Sequence, residues 1–100
     1  MAAYIIANIE VTDPEGYPAY LEGGRGSAEK YGGKYIVRGG KAETLEGERQ
    51  PHRTVVLEFP SVEQARAWWD SPEYSAAKPF RRKAATSSFI LVEGVEERGS

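Results

Sequence analysis

Glu58, His52 and Arg53 are the side chains of this sequence best suited to hold or move a charge, and Tyr17 and Tyr20 are spaced to orient a neighbour. A carboxylate such as Glu58 acts as a general acid or base when burial or a second carboxylate raises its pKa. Asn8 or Glu10 could supply that neighbour. The same carboxylate serves equally well as a structural partner of Arg38 or Arg53 across a subunit contact, which also perturbs titration. His52, the one histidine, has an unperturbed pKa near neutrality and so invites proton transfer. Its place on a loop edge offers no orienting partner and suits a solvated side chain. Arg53 carries a planar fork that holds a carboxylate or phosphate bidentately. Arg25, and Arg81 within Arg81-Arg82-Lys83, could add counter-charge for an anion or simply be solvated. Trp69 and Tyr74, with Trp68, make either an aromatic wall for a small ligand or ordinary core packing.

Other chemistries lack their parts. There is no cysteine, hence no disulfide, thiolate nucleophile or sulfur-ligated zinc. One histidine with Glu10 and Glu58 is a thin ligand set, so neither a metal nor a cofactor is expected. A formal net charge of −2 with mixed signs argues against a nucleic-acid partner. No stretch has the length of a transmembrane helix, and Met1-Ala2-Ala3-Tyr4 does not open a signal peptide. A cytoplasmic protein with no membrane partner is the expectation. Gly23-Gly24-Arg25-Gly26 is not a phosphate loop, because it lacks the Gly-Lys-Ser/Thr end and a preceding strand.

The elements that must position these residues follow from periodicity. Within 100 residues there is room for one domain, expected over 1–95 with a loose tail over 96–100. Tyr4 to Val11 alternates as a strand. Asp13-Pro14-Glu15 predicts a helix start, and Tyr17, Tyr20, Leu21, Gly24, Ala28 and Tyr31 keep a helical rhythm up to Gly32-Gly33. Gly23, Gly24 and Gly26 together cost a helix on the order of 3 kcal/mol. Either the helix breaks there or its backbone leaves room for something. Lys34–Arg38 and Arg53–Phe59 read as strands joined by a long polar connection. Ser61-Val62-Glu63-Gln64 has capping-box spacing, Ser71-Pro72-Glu73 starts a short helix ending near Pro79, and Ser88–Glu93 is the last strand.

The order strand, helix, strand, strand, helix, strand is the ferredoxin-like βαββαβ arrangement, an α+β fold with an antiparallel sheet and two main helices on one face. Strands one and three are expected side by side and parallel at its centre. Ile5, Ala7, Ile9, Val55, Leu57 and Phe59 should face the helices. Tyr4, Ile6, Val56, Ile90 and Val92, with Asn8, Glu10, Thr54 and Glu58, should face away, where no element remains to cover them. An apolar face of that kind calls for a second copy.

Glu58-Phe59-Pro60-Ser61, Ala65, Trp68-Trp69 and Ser71-Pro72-Glu73-Tyr74, with Tyr35 to Gly40 and Glu46-Gly47, resemble the family known as domain of unknown function 1330. The resemblance runs from about Tyr4 to about Val95. It implies a dimeric α/β barrel and a homodimer, and places an arginine at Arg53. The glycine-rich first helix departs from the family's usual better helix formers. Related barrels include cofactor-independent monooxygenases and isomerases, a likeness of fold only. Two functions are compatible with the residues. One is a binder of a small acidic or phenolic molecule, with proton-transfer or monooxygenase-like chemistry at Glu58 or His52 and ligand contacts from Tyr17, Tyr20, Arg53, Arg25, Trp69, Tyr74 and Arg81. The other is a non-catalytic dimeric structural or partner-binding module.

Overall fold

Alternating apolar residues make β1 (Ala3–Val11) and β3 (Arg53–Phe59) strands with one covered face. Ile5, Ala7, Ile9, Val55, Leu57 and Phe59 are all buried, as expected. The computed structural model describes residues 1–95; the tail expected over 96–100 lies outside the described residues. With β2 (Lys34–Gly40) and β4 (Ala85–Glu93), the strands form one sheet in the order β2-β3-β1-β4. Helices α1 (Tyr17–Gly24), α2 (Val62–Trp69) and α3 (Pro72–Ala84) cover one face, giving the ferredoxin-like arrangement.

The expected parallel direction of β1 and β3 is corrected. They are neighbours but antiparallel, with Ile5 opposite Leu57, and β4 is antiparallel to β1 on its other side. Each helical crossover returns to a strand parallel to the one it left, β1 to β2 and β3 to β4. The strand slotted between such a pair therefore runs the opposite way. The direction decides which outer-face residues meet. Glu58 lies opposite Tyr4, whereas Glu10 is six positions along β1, about 20 Å away. Glu10 instead faces His52, with Oε1 3.8 Å from Nε2.

The first helix is shorter at both ends than its rhythm predicts. Residues 13–16 form a turn in which Asp13 Oδ1 accepts from the Glu15 N–H at 3.2 Å and the Asp13 carbonyl accepts from Tyr17 N–H at 3.1 Å. At the other end α1 stops at Gly24, and a single 3-10 turn, Glu29–Tyr31, follows. Gly23 and Gly24 leave no gap on the side turned to α3, although Gly24 also lines a cavity. A Cβ on either would stand 3.5 to 3.8 Å from the Ala77 Cβ, so the glycines let α1 lie close against α3. Leu21 is 45% exposed and leaves the buried stripe. Ser27, in the turn after α1, donates to the Gly24 carbonyl at 2.8 Å and accepts the Trp68 indole N–H at 2.9 Å.

The second half follows its caps. Ser61 Oγ accepts from the Gln64 N–H at 3.1 Å, the first half of a capping box. The Gln64 side chain returns to the cap hydroxyl, its Oε1 accepting from Ser61 Oγ at 3.3 Å, and its amide donates to the Tyr31 carbonyl at 3.2 Å. Ser71 Oγ caps α3 through the Tyr74 N–H at 3.1 Å. Pro79 does not end that helix, which continues to Ala84. Pro79 itself is exposed, while Ala77, Lys78, Arg81 and Ala84 are buried on the face turned to α1 and the sheet. Packing of that face outweighs the missing backbone bond.

The outer face carries Tyr4, Ile6, Val56, Ile90 and Val92. The connection 41–52 overhangs one end of it, so that end has a cover the sequence does not suggest. A cavity of about 320 Å³ lies there between Ile6, Asn8 and Thr54 and the loop residues Leu45, Glu46 and Arg49. No helix among the described residues is long and apolar enough to cross a membrane.

Pro79→Ala restores a backbone donor in the middle of α3 without removing buried surface. A net gain of about 2 kcal/mol is expected after the greater freedom of the unfolded chain is subtracted. Urea denaturation measures it, and a lower midpoint than the parent's would contradict the packing account of α3.

Candidate functional site

Between α1 and the β2–β3 half of the sheet lies a cavity whose inner chamber, about 30 Å³, is walled by Ile9, Tyr17, Tyr20, Val55, Leu57 and Phe89. Arg38, Arg53 and Tyr35 complete the wall on the sheet side. It widens toward Arg25, Gly26 and Glu29 into a mouth of about 510 Å³ that also reaches Tyr74. The two spaces share Tyr20, Tyr35, Arg38, Arg53 and Trp68, so they are contiguous.

Strand pleat aims Arg53 inward, because it has the same parity as Val55, Leu57 and Phe59. Its guanidinium lies flat against Gly39, where a Cβ would come within 2.7 Å of the guanidinium carbon. Gly39 has φ +75°, a conformation glycine adopts without strain. Arg53 is half-buried, its Nε is buried with no hydrogen-bond partner, and no ion pair holds it among the described residues. Tyr35 and Arg38 reach the same cavity by a different device. They are three apart, so a regular strand would point them to opposite faces. The register of β2 on β3 shifts between Tyr35 and Val37, leaving Ile36 unpaired, and both side chains turn inward. The Arg38 guanidinium then lies 4.3 Å above the Tyr35 ring.

Three tyrosines of this wall have raised pKa values. Burial is the main cause for Tyr17, and the adjacent Arg53 guanidinium offsets part of it. Tyr20 is pushed furthest, by burial and by Tyr74, whose hydroxyl is 2.8 Å from its own. Burial likewise raises Tyr35, against Arg38. At neutral pH all three are neutral phenols. Among the described residues the inner chamber therefore holds hydroxyl and guanidinium donors and no carboxylate, which suits an acceptor-rich, anionic guest.

The remaining candidates are distributed elsewhere. Arg25 stands at the mouth, exposed and 3.7 Å from Glu22. Tyr74 belongs to the mouth and to the core, its ring 4.1 Å from Trp68. Trp69 and Arg81 lie behind Tyr20 and Phe89 and line a separate groove. Glu58 is on the other face of the sheet, accepting from the Tyr4 hydroxyl at 3.1 Å with Lys34 Nζ at 3.4 Å. The sheet separates it from the cavity, and its partners are Lys34 and Tyr4 in place of Arg38 or Arg53. His52 shares that outer face with Glu10 and is equally remote. Sequence reasoning missed Tyr35, Arg38 and Phe89. A readable signal existed for the first two in Arg38-Gly39-Gly40, since glycine inside a strand marks bulges and close backbone approach. Among the described residues no three His, Cys, Asp or Glu side chains group as a metal site.

Fold and cavity define a small α+β protein of ferredoxin-like topology with a cationic, tyrosine-lined pocket under its first helix. The chain belongs to the family described as Domain of unknown function (DUF1330), whose profile matches residues 2–95. No protein of curated function matches the sequence. Among solved structures, it is similar to RPA0582, a protein of unknown function from Rhodopseudomonas palustris, at 22% identity and TM-score 0.73, over 95% of this chain and 83% of that one. It is also similar to SnoaB, a cofactor-independent oxygenase from Streptomyces nogalater, at 14% identity and TM-score 0.62, over 99% and 98% of the two chains. A NIPSNAP domain protein from Burkholderia xenovorans aligns at 15% identity and TM-score 0.52 over 100% of both chains. At these identities the likeness is one of fold.

The raised tyrosines set an alkaline limit on stability. Unfolded tyrosines ionise at about pH 10, while Tyr17, Tyr20 and Tyr35 hold their protons to higher pH in the fold. Their contribution is whole below about pH 10 and is lost as pH climbs through the folded values. Urea midpoints should fall between about pH 9 and pH 11, and fall less in Tyr20→Phe. An identical slope in the variant would contradict the assignment of Tyr20.

Proposed function

We propose that this protein binds a small organic acid in the cavity under α1, its acidic group on Arg53 and its body against Tyr17, Tyr20 and Tyr35. The observation that carries the reading is the half-buried Arg53 guanidinium, free of any carboxylate partner among the described residues and facing tyrosine hydroxyls. A half-buried cation without a counter-ion is costly, and a bound carboxylate relieves that cost through two charge-assisted hydrogen bonds. Arg38 adds a second positive charge, and Arg25 draws the anion toward the mouth. Tyr74 is the outer stop of the ligand path.

Binding is the part of the activity that these residues support. With tyrosines and arginines as its ionisable groups, the inner chamber donates protons in hydrogen bonds and is not equipped to take one from a ligand. Proton transfer by Glu58 or His52 would have to occur on the opposite face, away from this ligand.

The outer face supports a homodimer. Ile6 lies beside both Val56 and Ile90, and Tyr4 beside Val92, so an apolar strip crosses three strands. Ile90 is 56% exposed. Packing two such faces together removes that strip from water, with the Tyr4–Glu58–Lys34 group at its edge.

Benzoate and 4-hydroxybenzoate are suitable probes. At a hundredfold excess over its dissociation constant, a ligand stabilises the fold by about 2.7 kcal/mol and raises the melting temperature. Arg53→Gln should weaken binding about tenfold or more while the unliganded variant melts near the parent. Unchanged affinity in that variant would remove Arg53 from the site. For the dimer, Ile90→Lys should lower the mass seen by sedimentation equilibrium to that of one chain. A parent that already sediments as one chain would refute the pairing.

A further inference from the structure

On the far side of Tyr20 and Phe89, the last turns of α3 and the start of β4 enclose a groove of about 460 Å³. Arg81, Arg82, Thr86 and Ser87 supply its polar atoms, and Trp69 and Phe89, with ring centroids 5.2 Å apart, its apolar wall. We propose that this groove is a second binding site, for the phosphate group of a small phosphorylated aromatic compound.

The charge is the first support. Arg81 is 4% exposed, yet its nearest polar partner is Ser87, whose Oγ accepts from Nη1 at 2.5 Å, and its Nε is buried with no partner. Lys78, one turn earlier and 8% exposed, has its Nζ 4.0 Å above the Trp69 ring. Among the described residues no carboxylate lies within ion-pair distance of Lys78, Arg81 or Arg82. Ring faces offset part of the cost of burying such cations: Arg81 lies 4.3 Å from the Phe89 centroid. The helix dipole offsets part as well, but its C-terminal end is worth roughly half a negative charge. The two buried positive charges, with Arg82 exposed beside them, exceed both.

The class of ligand follows from that excess. A monocarboxylate neutralises one charge, whereas a phosphate monoester brings about −1.5 to −2 and three acceptor oxygens. Guanidinium forks fit those oxygens bidentately, and the Ser87 hydroxyl, on the helix-facing side of β4, can donate to the remainder. Trp69 and Phe89, their rings tilted 46° to each other, offer an angled apolar wall where the ester's organic part would lie, which favours an aromatic ring. Desolvation already depresses the Lys78 pKa, Arg82 and Arg81 depress it further, and Asp70 opposes them. An arriving dianion acts in the same direction as Asp70. This site does not rest on the organic-acid reading of the cavity under α1, since Arg53 takes no part in it.

Nitrogen-15-labelled protein titrated with phenyl phosphate, inorganic phosphate and phenol provides the test. Saturable shifts of the Thr86 and Ser87 amides and of the Trp69 indole are expected with both phosphates, and none with phenol. Phenyl phosphate should bind roughly tenfold tighter than inorganic phosphate because its ring leaves water. Arg82→Gln, at an exposed position, should weaken phenyl phosphate about tenfold. Arg81→Lys, which keeps the charge and removes the fork, should weaken it too. No saturable shift at β4, shifts gathered on Tyr17, Tyr35 and Arg53, or unchanged affinity in Arg82→Gln would overturn the site. Equal affinity for the two phosphates would overturn its aromatic part.

Discussion

Trp68 is the side chain on which the arrangement of the other elements depends. It is 2% exposed, its ring 4.1 Å from Tyr74 of α3 and 5.6 Å from Phe59 of β3. Its indole N–H is held by Ser27, in the turn that follows α1. One residue thus touches both long crossovers and the sheet. A buried indole donor without a partner is costly, so Ser27 must stay where it is, and α1 must end early enough to place it there. The break after Gly24 is consequently a requirement of the core, and the glycines before it allow α3 to come near.

That close approach separates the face between helices and sheet into two compartments. Tyr20 and Phe89 stand between them, and each side has an arginine with a buried Nε lacking a partner, Arg53 on one and Arg81 on the other. Arginine suits both places for the same reason. Its flat, weakly hydrated head lies on a ring or a glycine while its edges remain available as donors. Among the described residues neither position has an acid within ion-pair distance, so each compartment is locally cationic in a chain of net charge −2. The carboxylates Glu10 and Glu58 point to the opposite face.

Most of the fold was legible in the sequence because it rests on local rules. Alternation assigned Ile5, Ala7, Ile9, Val55, Leu57 and Phe59 to the helix-facing side but missed Ala3, and Ser61 and Ser71 marked two helix starts through cap chemistry. The failures came where one element's state depends on another. Pro79 looks like a stop until the buried face of α3 is weighed against one lost hydrogen bond. The direction of β1 relative to β3 is a property of two crossovers together, and misjudging it moved Glu10 from His52 to Glu58. Of the cavity, Tyr17, Tyr20 and Arg53 were readable from stripe and parity. Tyr35 and Arg38 were missed, because a shifted register cancels the parity that the sequence displays and only the glycines after Arg38 hint at it. Trp69 and Arg81 were recognised as candidates, but only packing reveals that Phe89 screens them from Arg53.

The irregular course of β2 has a bearing beyond the cavity it serves. β2 is an edge strand, its outer margin unpaired among the described residues, and Ile36 and Val37 on it are exposed. A straight apolar edge of that kind is a template for a foreign strand. The two register shifts and the turn of Gly39 break its hydrogen-bonding rhythm, so an incoming chain finds no continuous row of donors and acceptors to match. The kink that aims Arg38 inward thereby also guards the sheet against open-ended growth into fibres.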